Sequence, residues 1–231
     1  MTEQNNKPRA IHEDDKDRRR LEILGAAEAL LIGDPTRLPS VAEVAKQAGL
    51  AKGTVYLYFQ SKEDLLLSLH GLHTERFFQA MHERLEGPRI GFEDLLEVTR
   101  EHLIGVPTYM PLAGQCLGSF GKNVSEELHE AFKERIAYWL TACGEQIESH
   151  YPLLQAGTGA LLLSRSYGLL LGLWQLSEAN KEGACPLSQT HLAPVVQNYN
   201  DEAGAALLAL WRGHVAPAIE QSGSTEKDTR E

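Results

Sequence analysis

Cysteine is scarce: Cys116, Cys143 and Cys185 are odd in number, far apart and without C-x-x-C spacing. That argues against a disulfide framework and leaves free thiols in a reducing compartment as the main reading, with redox sensing as the lesser one. Long apolar runs are missing too. The longest candidate, Ala156 to Leu176, is broken by Ser164-Arg165-Ser166, short of the roughly 18 uninterrupted apolar residues expected of a membrane span. The chain opens on polar and charged residues instead of a basic segment followed by an apolar one, so no secretory signal is read and a cytoplasmic protein is expected. Positive charge is in deficit: 22 Lys and Arg against 32 Asp and Glu give a formal net charge of -10 and a pI near 5.4. This argues against a general nucleic-acid coat, because counterion release requires cations facing phosphate. G-x-S-x-G, H-E-x-x-H, P-loop and Rossmann signatures do not occur, and His70 and His73 at i, i+3 have no matching set of metal ligands nearby. No catalytic residue, metal or cofactor is therefore expected.

What is present is concentrated in residues 40 to 64, SVAEVAKQAGLAKGTVYLYFQSKED. Val41, Val44, Ala45 and Ala48 recur at i, i+3, i+4 and i+7, the small apolar face of a helix that can pack closely. Ser40 with Glu43 forms a capping box at its start. Gly49 suits the left-handed position that ends it, with Leu50 dropping back as the accompanying apolar contact. A second helix is predicted over Lys52 to Phe59, burying Val55 and Phe59 and leaving Lys52, Thr54, Tyr56 and Tyr58 around its other sides. Gly53 inside it costs about 1 kcal/mol relative to alanine, which close approach to a DNA backbone or groove would explain. Two tyrosines on so short a helix would ordinarily be core; the glycine, the threonine and the flanking lysines shift the reading towards a DNA surface. Ser61 and Asp64 form another S-x-x-[DE] start with Lys62 in the first turn, where a docked phosphate would gain from both lysine and helix dipole, though a lone lysine is by default a solvated one.

From Ile23, Ala27 and Leu30 through Val44-Ala45, Ala48-Gly49-Leu50, Gly53-Thr54-Val55-Tyr56, Tyr58-Phe59 and Lys62 to Leu65, the chain resembles the TetR-type (TetR/AcrR) bacterial transcriptional regulators. The resemblance implies a helix-turn-helix whose second member enters the DNA major groove. By position, Lys52, Gly53 and Tyr56 would lie nearest the base edges, and Thr54, Tyr58 and Lys62 at phosphates. Ala51 departs from the family, which often has serine or threonine there; a cap of about 1 kcal/mol is missing.

From Lys16 to Lys62 eight Lys or Arg stand against five acids, whereas from Phe77 onward eleven face twenty. A locally basic head on an acidic body follows. Arg18, Arg19 and Arg20 oppose the dipole at the start of the first helix; a phosphate or minor-groove contact would account for them, and so would solvated charge. Residues 1–17 have almost no apolar content and are expected to be a disordered arm, as are 222–231 as a tail. Beyond Ser61 no period-two pattern occurs. The expected class is all-α, with a three-helix helix-turn-helix head over 18–63, a larger helical body over 64–221 and about nine helices in all. Body helices are predicted near 62–86, 92–106, 108–119 (irregular), 123–150 with Asn123 and Glu126 as a capping pair, 153–180 and 192–220, the last two separated by a loop through Gly183 and Pro186.

The helix over 153–180 is apolar almost all round, with Gly168 and Gly172 open to close approach, and 192–220 carries Ala203, Ala206, Leu207, Leu210 and Trp211 at helical spacing. Periodicity shows only buried helices. The resemblance adds a homodimer through these two helices, a palindromic operator and a small-molecule effector that releases the protein from DNA, most often as a repressor. Candidate ligand contacts are Arg100, Tyr109, Met110, Trp139, Cys143, Arg165, Tyr167 and Trp174, with Phe78, His102 and Phe120 as further polar or aromatic residues on apolar faces; core packing is the competing reading for each aromatic. Arg100 and Arg165 each need an anionic partner, which the sequence leaves open between Glu97 or Glu101, a residue across the dimer and a ligand carboxylate. Two other classes stay open: an α-helical enzyme, and a binding protein that kept the head fold without DNA affinity, for which Ala51 and the acidic total are the support.

Overall fold

Helix α4 (Lys62–Leu85) is about 36 Å long at 1.5 Å per residue and runs through two apolar cores. The structure, a computed structural model, describes residues 7–88, 90–118, 123–181 and 199–225. Among them the order is α1 (Lys7–Gly33), α2 (Val41–Gln47), α3 (Lys52–Tyr56), α4, α5 (Phe92–Thr99) with a π turn over Arg100–Ile104, α6 (Tyr109–Gly118), α7 (Glu126–His150), α8 (Thr158–Lys181) and α9 (Tyr199–Thr225), with no strand. None of these helices is long and apolar enough to cross a membrane. The loop through Gly183 and Pro186 and the Phe120 position lie outside the described residues.

The head core joins Ile23, Ala27 and Leu31 of α1, Val41, Val44 and Ala45 of α2, Val55, Phe59, and Leu65, Leu66 and Leu69 of α4. Its turn is built as the residues demand. Ser40 Oγ accepts the Glu43 N–H, and Glu43 Oε2 accepts the Ser40 N–H at 2.8 Å. Hydrogen bonding from Arg37, then from Ser40, holds the Glu43 carboxyl at about 2, so the box keeps its charge in mild acid. Gly49 sits at φ +68, with its N–H on the Lys46 carbonyl and that of Leu50 on Ala45 at 2.8 Å, a Schellman end. Ala51 provides no side-chain cap to α3.

Several element boundaries differ from the sequence reading. α3 stops at Tyr56, not Phe59, because the Leu57 and Tyr58 N–H groups turn to the Thr54 and Val55 carbonyls three residues back; Phe59 enters the core from this tightened turn. α1 already runs from Lys7, inside the stretch 1–17 expected to be disordered, and α9 continues to Thr225, into the expected tail. Ion pairs of Arg18 with Asp15 at 2.9 Å and of Arg19 with Glu22 at 2.6 Å, both i, i+3, support α1 there. The helix predicted over 92–106 widens into a π turn in which the Gly105 N–H reaches the Arg100 carbonyl at 2.7 Å; a Cβ on Gly105 would stand 2.8 Å from that oxygen. The irregular stretch from Thr108 is an α-helix from Tyr109. Ser125, not Asn123, is the N-cap of α7.

That last difference has a tertiary cause. Ser61 Oγ accepts the Asp64 N–H as its spacing predicts, but the Asp64 carboxylate does not close a capping box on Ser61. It accepts the Ser125 N–H at 2.8 Å, and the Ser61 hydroxyl donates to the Asn123 carbonyl at 2.8 Å. The starts of α4 and α7 are thus tied together. A second tie lies two turns on, where His73 Nε2 is 3.2 Å from the Thr108 hydroxyl and 3.3 Å from Glu28 Oε1 of α1.

The body core gathers Phe77, Phe78, Met81 and Leu85 of α4 with side chains of α5 to α9, among them Ile147, Leu162, Leu170, Leu207 and Trp211. α7 and α8 meet backbone to backbone at Gly144 and Gly159: a Cβ on Gly144 would stand 2.5 Å from the Ala160 nitrogen, and one on Gly159 would overlap the Gly144 carbonyl. Gly144→Ala is therefore expected to lose about 1–3 kcal/mol in urea denaturation through overpacking. Gly25→Ala on α1, with nothing within 4 Å of the added carbon, is expected to gain up to about 1 kcal/mol. Equal effects would contradict the close crossing.

Burial, with a smaller contribution from His73, pushes the His70 imidazole down to about 3; burial also lowers His73, against the pull of Glu28. Both are neutral in the fold, whereas the unfolded chain binds their protons near pH 6.5. Stability is then full above that pH and falls as pH drops below it, by up to about 1.4 kcal/mol per pH unit for His70 and in the same direction for His73. Urea midpoints between pH 7.5 and 5 should show this slope, and His70→Phe should flatten it; an unchanged slope in the variant would remove His70 as its source.

Candidate functional site

On α3 and the turn that ends it, Gly53 and Leu57 lie on the side away from the buried Val55. Lys52 and Tyr56 flank them on one side, Thr54 and Tyr58 on the other. Leu57 is 77% exposed and Tyr56 44%, while Val55 is wholly buried. The Lys52 ammonium lies 5.8 Å from the Tyr56 ring centroid, so the two share a face. Nothing beyond the helix's own backbone comes within 4 Å of a Cβ on Gly53. Packing within the chain does not require that glycine.

The other sequence-derived positions are more engaged. Thr54 and Tyr58 are half-buried beside the exposed face. Lys62 Nζ reaches the Leu38 carbonyl at 3.5 Å, just before α2. Arg18 and Arg19 are ion-paired along α1 with Asp15 and Glu22. Arg20 is a strut: its guanidinium donates to the Tyr58 carbonyl at 3.2 Å and to Ser68 Oγ at 2.7 Å and stacks 4.5 Å from the Phe59 ring centroid. Sequence reasoning missed Leu57. The signal was available, since it falls opposite the Val55 and Phe59 positions on the same helical wheel.

The body holds a cavity of about 330 Å³ bounded by α4, α6, α7 and α8, with Thr99, Leu103 and Trp211 completing the wall. Tyr109 and Tyr167, of the residues expected to meet a ligand, line it, and so does Phe78. The rest lie outside its lining. Met110 is core. Trp139 stacks on Phe78 with centroids 6.1 Å apart. Cys143 is buried, its thiol pushed up to about 12, with Sγ 3.8 Å from the Phe78 carbonyl. Trp174 packs over Gly114. Arg100 is exposed and lays its guanidinium over Gly204 of α9, and Arg165 is exposed with Nη1 2.6 Å from His214 Nε2. No local pattern marks His70, Thr74 or Phe132 as wall residues; the packing of α4, α6 and α7 brings them there.

The cavity shares side chains with the head. Leu67 belongs to the head core and lines the cavity; Phe132 packs on that core and lines it too. A Cβ on Gly71 would stand 3.6 Å from the Phe132 ring, so α7 rides close on α4 there. His70 lies between the Tyr109 and Phe132 rings, at 5.0 and 5.8 Å.

An 82-residue stretch is 35% identical to the fatty acid metabolism regulator protein of Bacillus subtilis (strain 168), covering 36% of this chain and 42% of that protein. A 53-residue stretch is 49% identical to the HTH-type transcriptional regulator EthR of Mycobacterium tuberculosis, covering 23% and 24%. The chain thus spans less than half the length of the relatives it matches. A solved structure of a TetR-family transcriptional regulator from Mesorhizobium loti MAFF303099 has the same fold, with a TM-score of 0.50 at 22% identity over 84% of this chain and 97% of that one. Residues 23–69 match the family model for bacterial regulatory proteins of the tetR family, and residues 72–218 that for the tetracyclin repressor-like C-terminal domain. With most of its length accounted for by these two matches, the chain belongs to the tetR family of bacterial regulatory proteins.

Proposed function

We propose that this protein is a ligand-responsive DNA-binding transcriptional regulator, acting in the cytoplasm as a homodimeric repressor that a small molecule releases from a palindromic operator. The head over 18–63 reads DNA; the body over 64–221 binds the effector and dimerises. No catalysis is part of this reading. The observation that carries it is the outward face of α3, where Gly53 and a 77% exposed Leu57 are flanked by Lys52 and Tyr56 on a turn braced by two helix caps. An exposed leucine beside a cation and a phenol suits the floor of a major groove, with apolar contact to a thymine methyl and polar contact to base edges. Thr54, Tyr58 and Lys62 lie where phosphates would flank that groove. Arg18 and Arg19 would have to exchange acidic partners for phosphate.

Dimerisation is supported by what α8 leaves uncovered: Leu161, Arg165, Gly168 and Leu176 are exposed at helical spacing, and Gly168 has no neighbour within 4 Å of an added Cβ. On α9, Ala205, Ala209 and Gly213 are exposed in the same way. Small residues on two adjacent helices suit a close symmetric contact. Effector coupling is supported by the side chains that cavity and head core share, since a ligand moves DNA affinity only by binding the two head arrangements unequally.

Fluorescence anisotropy against DNA from upstream of the coding region, with shuffled DNA as control and across a salt series, tests the reading. Tight, salt-sensitive binding to the upstream fragment alone is expected. Tyr56→Ala and Leu57→Ala should each weaken specific binding about tenfold or more with helicity and dimer intact. Lys62→Ala should weaken good and poor sequences alike and lower the salt slope by about one ion. Binding by Tyr56→Ala and Leu57→Ala at wild-type strength would take α3 out of the groove. Gly168→Arg should shift sedimentation from dimer towards monomer and weaken DNA binding with it; an unchanged dimer would move the interface elsewhere.

A further inference from the structure

Most of the polar groups on the cavity wall are engaged by the protein itself. Trp211 Nε1 donates to Ser166 Oγ at 2.7 Å, and Ser166 Oγ donates to the Leu162 carbonyl at 2.8 Å. The Thr99 hydroxyl donates to the Leu95 carbonyl at 2.7 Å. The Thr74 hydroxyl donates to the His70 carbonyl at 2.9 Å and lies 3.4 Å from the Tyr109 hydroxyl. Among the buried wall groups of the described residues His70 is the exception: it is 2% exposed, it lines the cavity, and Nδ1 has no hydrogen-bond partner. A buried polar atom left so costs about 1–3 kcal/mol, a cost that a hydrogen-bonding guest would remove.

Charge on the wall is confined to its edge. Among the described residues no carboxylate and no guanidinium lines the cavity, and the lining ammonium, that of Lys133, is 57% exposed and paired with Glu130 at 2.8 Å. His129 is only half-buried. An ion entering the interior would lose its water without gaining a fixed counter-charge, since burial keeps His70 itself neutral. The volume of about 330 Å³ lies at the lower end of small-molecule sites.

We propose that the cavity takes an uncharged, mainly apolar molecule with one hydrogen-bonding group, that group seated on the His70 imidazole and the apolar body lying along Phe77, Phe132, Leu163 and Leu170. The proposal rests on the reading of this cavity as the effector site and narrows its ligand class. A hydroxyl suits either histidine tautomer, because it both donates and accepts.

Direct binding to the 231-residue chain at pH 7.5, by calorimetry and by intrinsic tryptophan fluorescence with Trp211 at the wall, tests it with four probes of one chain length: octan-1-ol, 1-chlorooctane, octanoate and octyltrimethylammonium. Octan-1-ol is expected to bind about five- to tenfold more tightly than 1-chlorooctane, the worth of one neutral hydrogen bond. Both ions should bind more weakly than the alcohol. His70→Leu should bind 1-chlorooctane more tightly than octan-1-ol, whose hydroxyl is then buried without a partner, and His70→Gln, which keeps a polar partner, should restore the preference for the alcohol. An ion that binds as tightly as the alcohol, no binding of the alcohol, or a preference that survives in His70→Leu would overturn the proposal. Operator release is measured in parallel: octan-1-ol that binds with the His70-dependent preference but leaves DNA bound keeps the ligand class and overturns the effector reading alone.

Discussion

The continuity of α4 is the constraint on which the rest of this fold depends. One helix supplies Leu65, Leu66 and Leu69 to the head core and Phe77, Phe78, Met81 and Leu85 to the body core. Beside these apolar stretches it carries buried polar groups, Asp64 in its first turn and His73 between the two. Asp64 answers the Ser125 N–H, and His73 meets both Thr108 and Glu28. Each group is satisfied by a different helix, so none can move without leaving a buried polar atom unpaired.

This arrangement makes the joint stiff and the cavity sensitive. Phe132 and Leu67 face the cavity on one side and the head core on the other, so the volume occupied in the body and the packing of the head are set by the same side chains. Interiors packed at crystal-like density transmit such displacements instead of absorbing them. The α3 end of the head is the less constrained: α3 has five residues, no side-chain cap and an outward face that the rest of the chain does not cover. Its position is fixed from outside, by the Schellman end of α2 before it and by Arg20 behind it.

Much of the head was legible because its signals are local. The Ser40–Glu43 box, the left-handed Gly49, the uncapped Ala51 and the burial of Val55 and Phe59 each depend on residues within a few positions of one another. The outward position of Lys52, Gly53 and Tyr56 was legible for the same reason. The cavity was not. Tyr109 and Tyr167 could be picked as polar aromatics on apolar faces, but Met110, Trp139, Cys143 and Trp174 carry the same local signature and lie in the core or behind the wall. Arg100 and Arg165 looked like buried cations in apolar helices, and both lie on the surface of theirs.

The amino-acid sequence by itself determined the helical class, the helix-turn-helix and its outward residues, since helix period, caps and turn glycines act over distances the chain order already defines. Only the tertiary structure decided that Asp64 serves α7 and not its own helix, that Gly144 and Gly159 let two helices touch, and that His70 faces the cavity. Those outcomes belong to which helix packs against which, and a buried donor or acceptor finds its partner across that packing, where sequence separation carries no information.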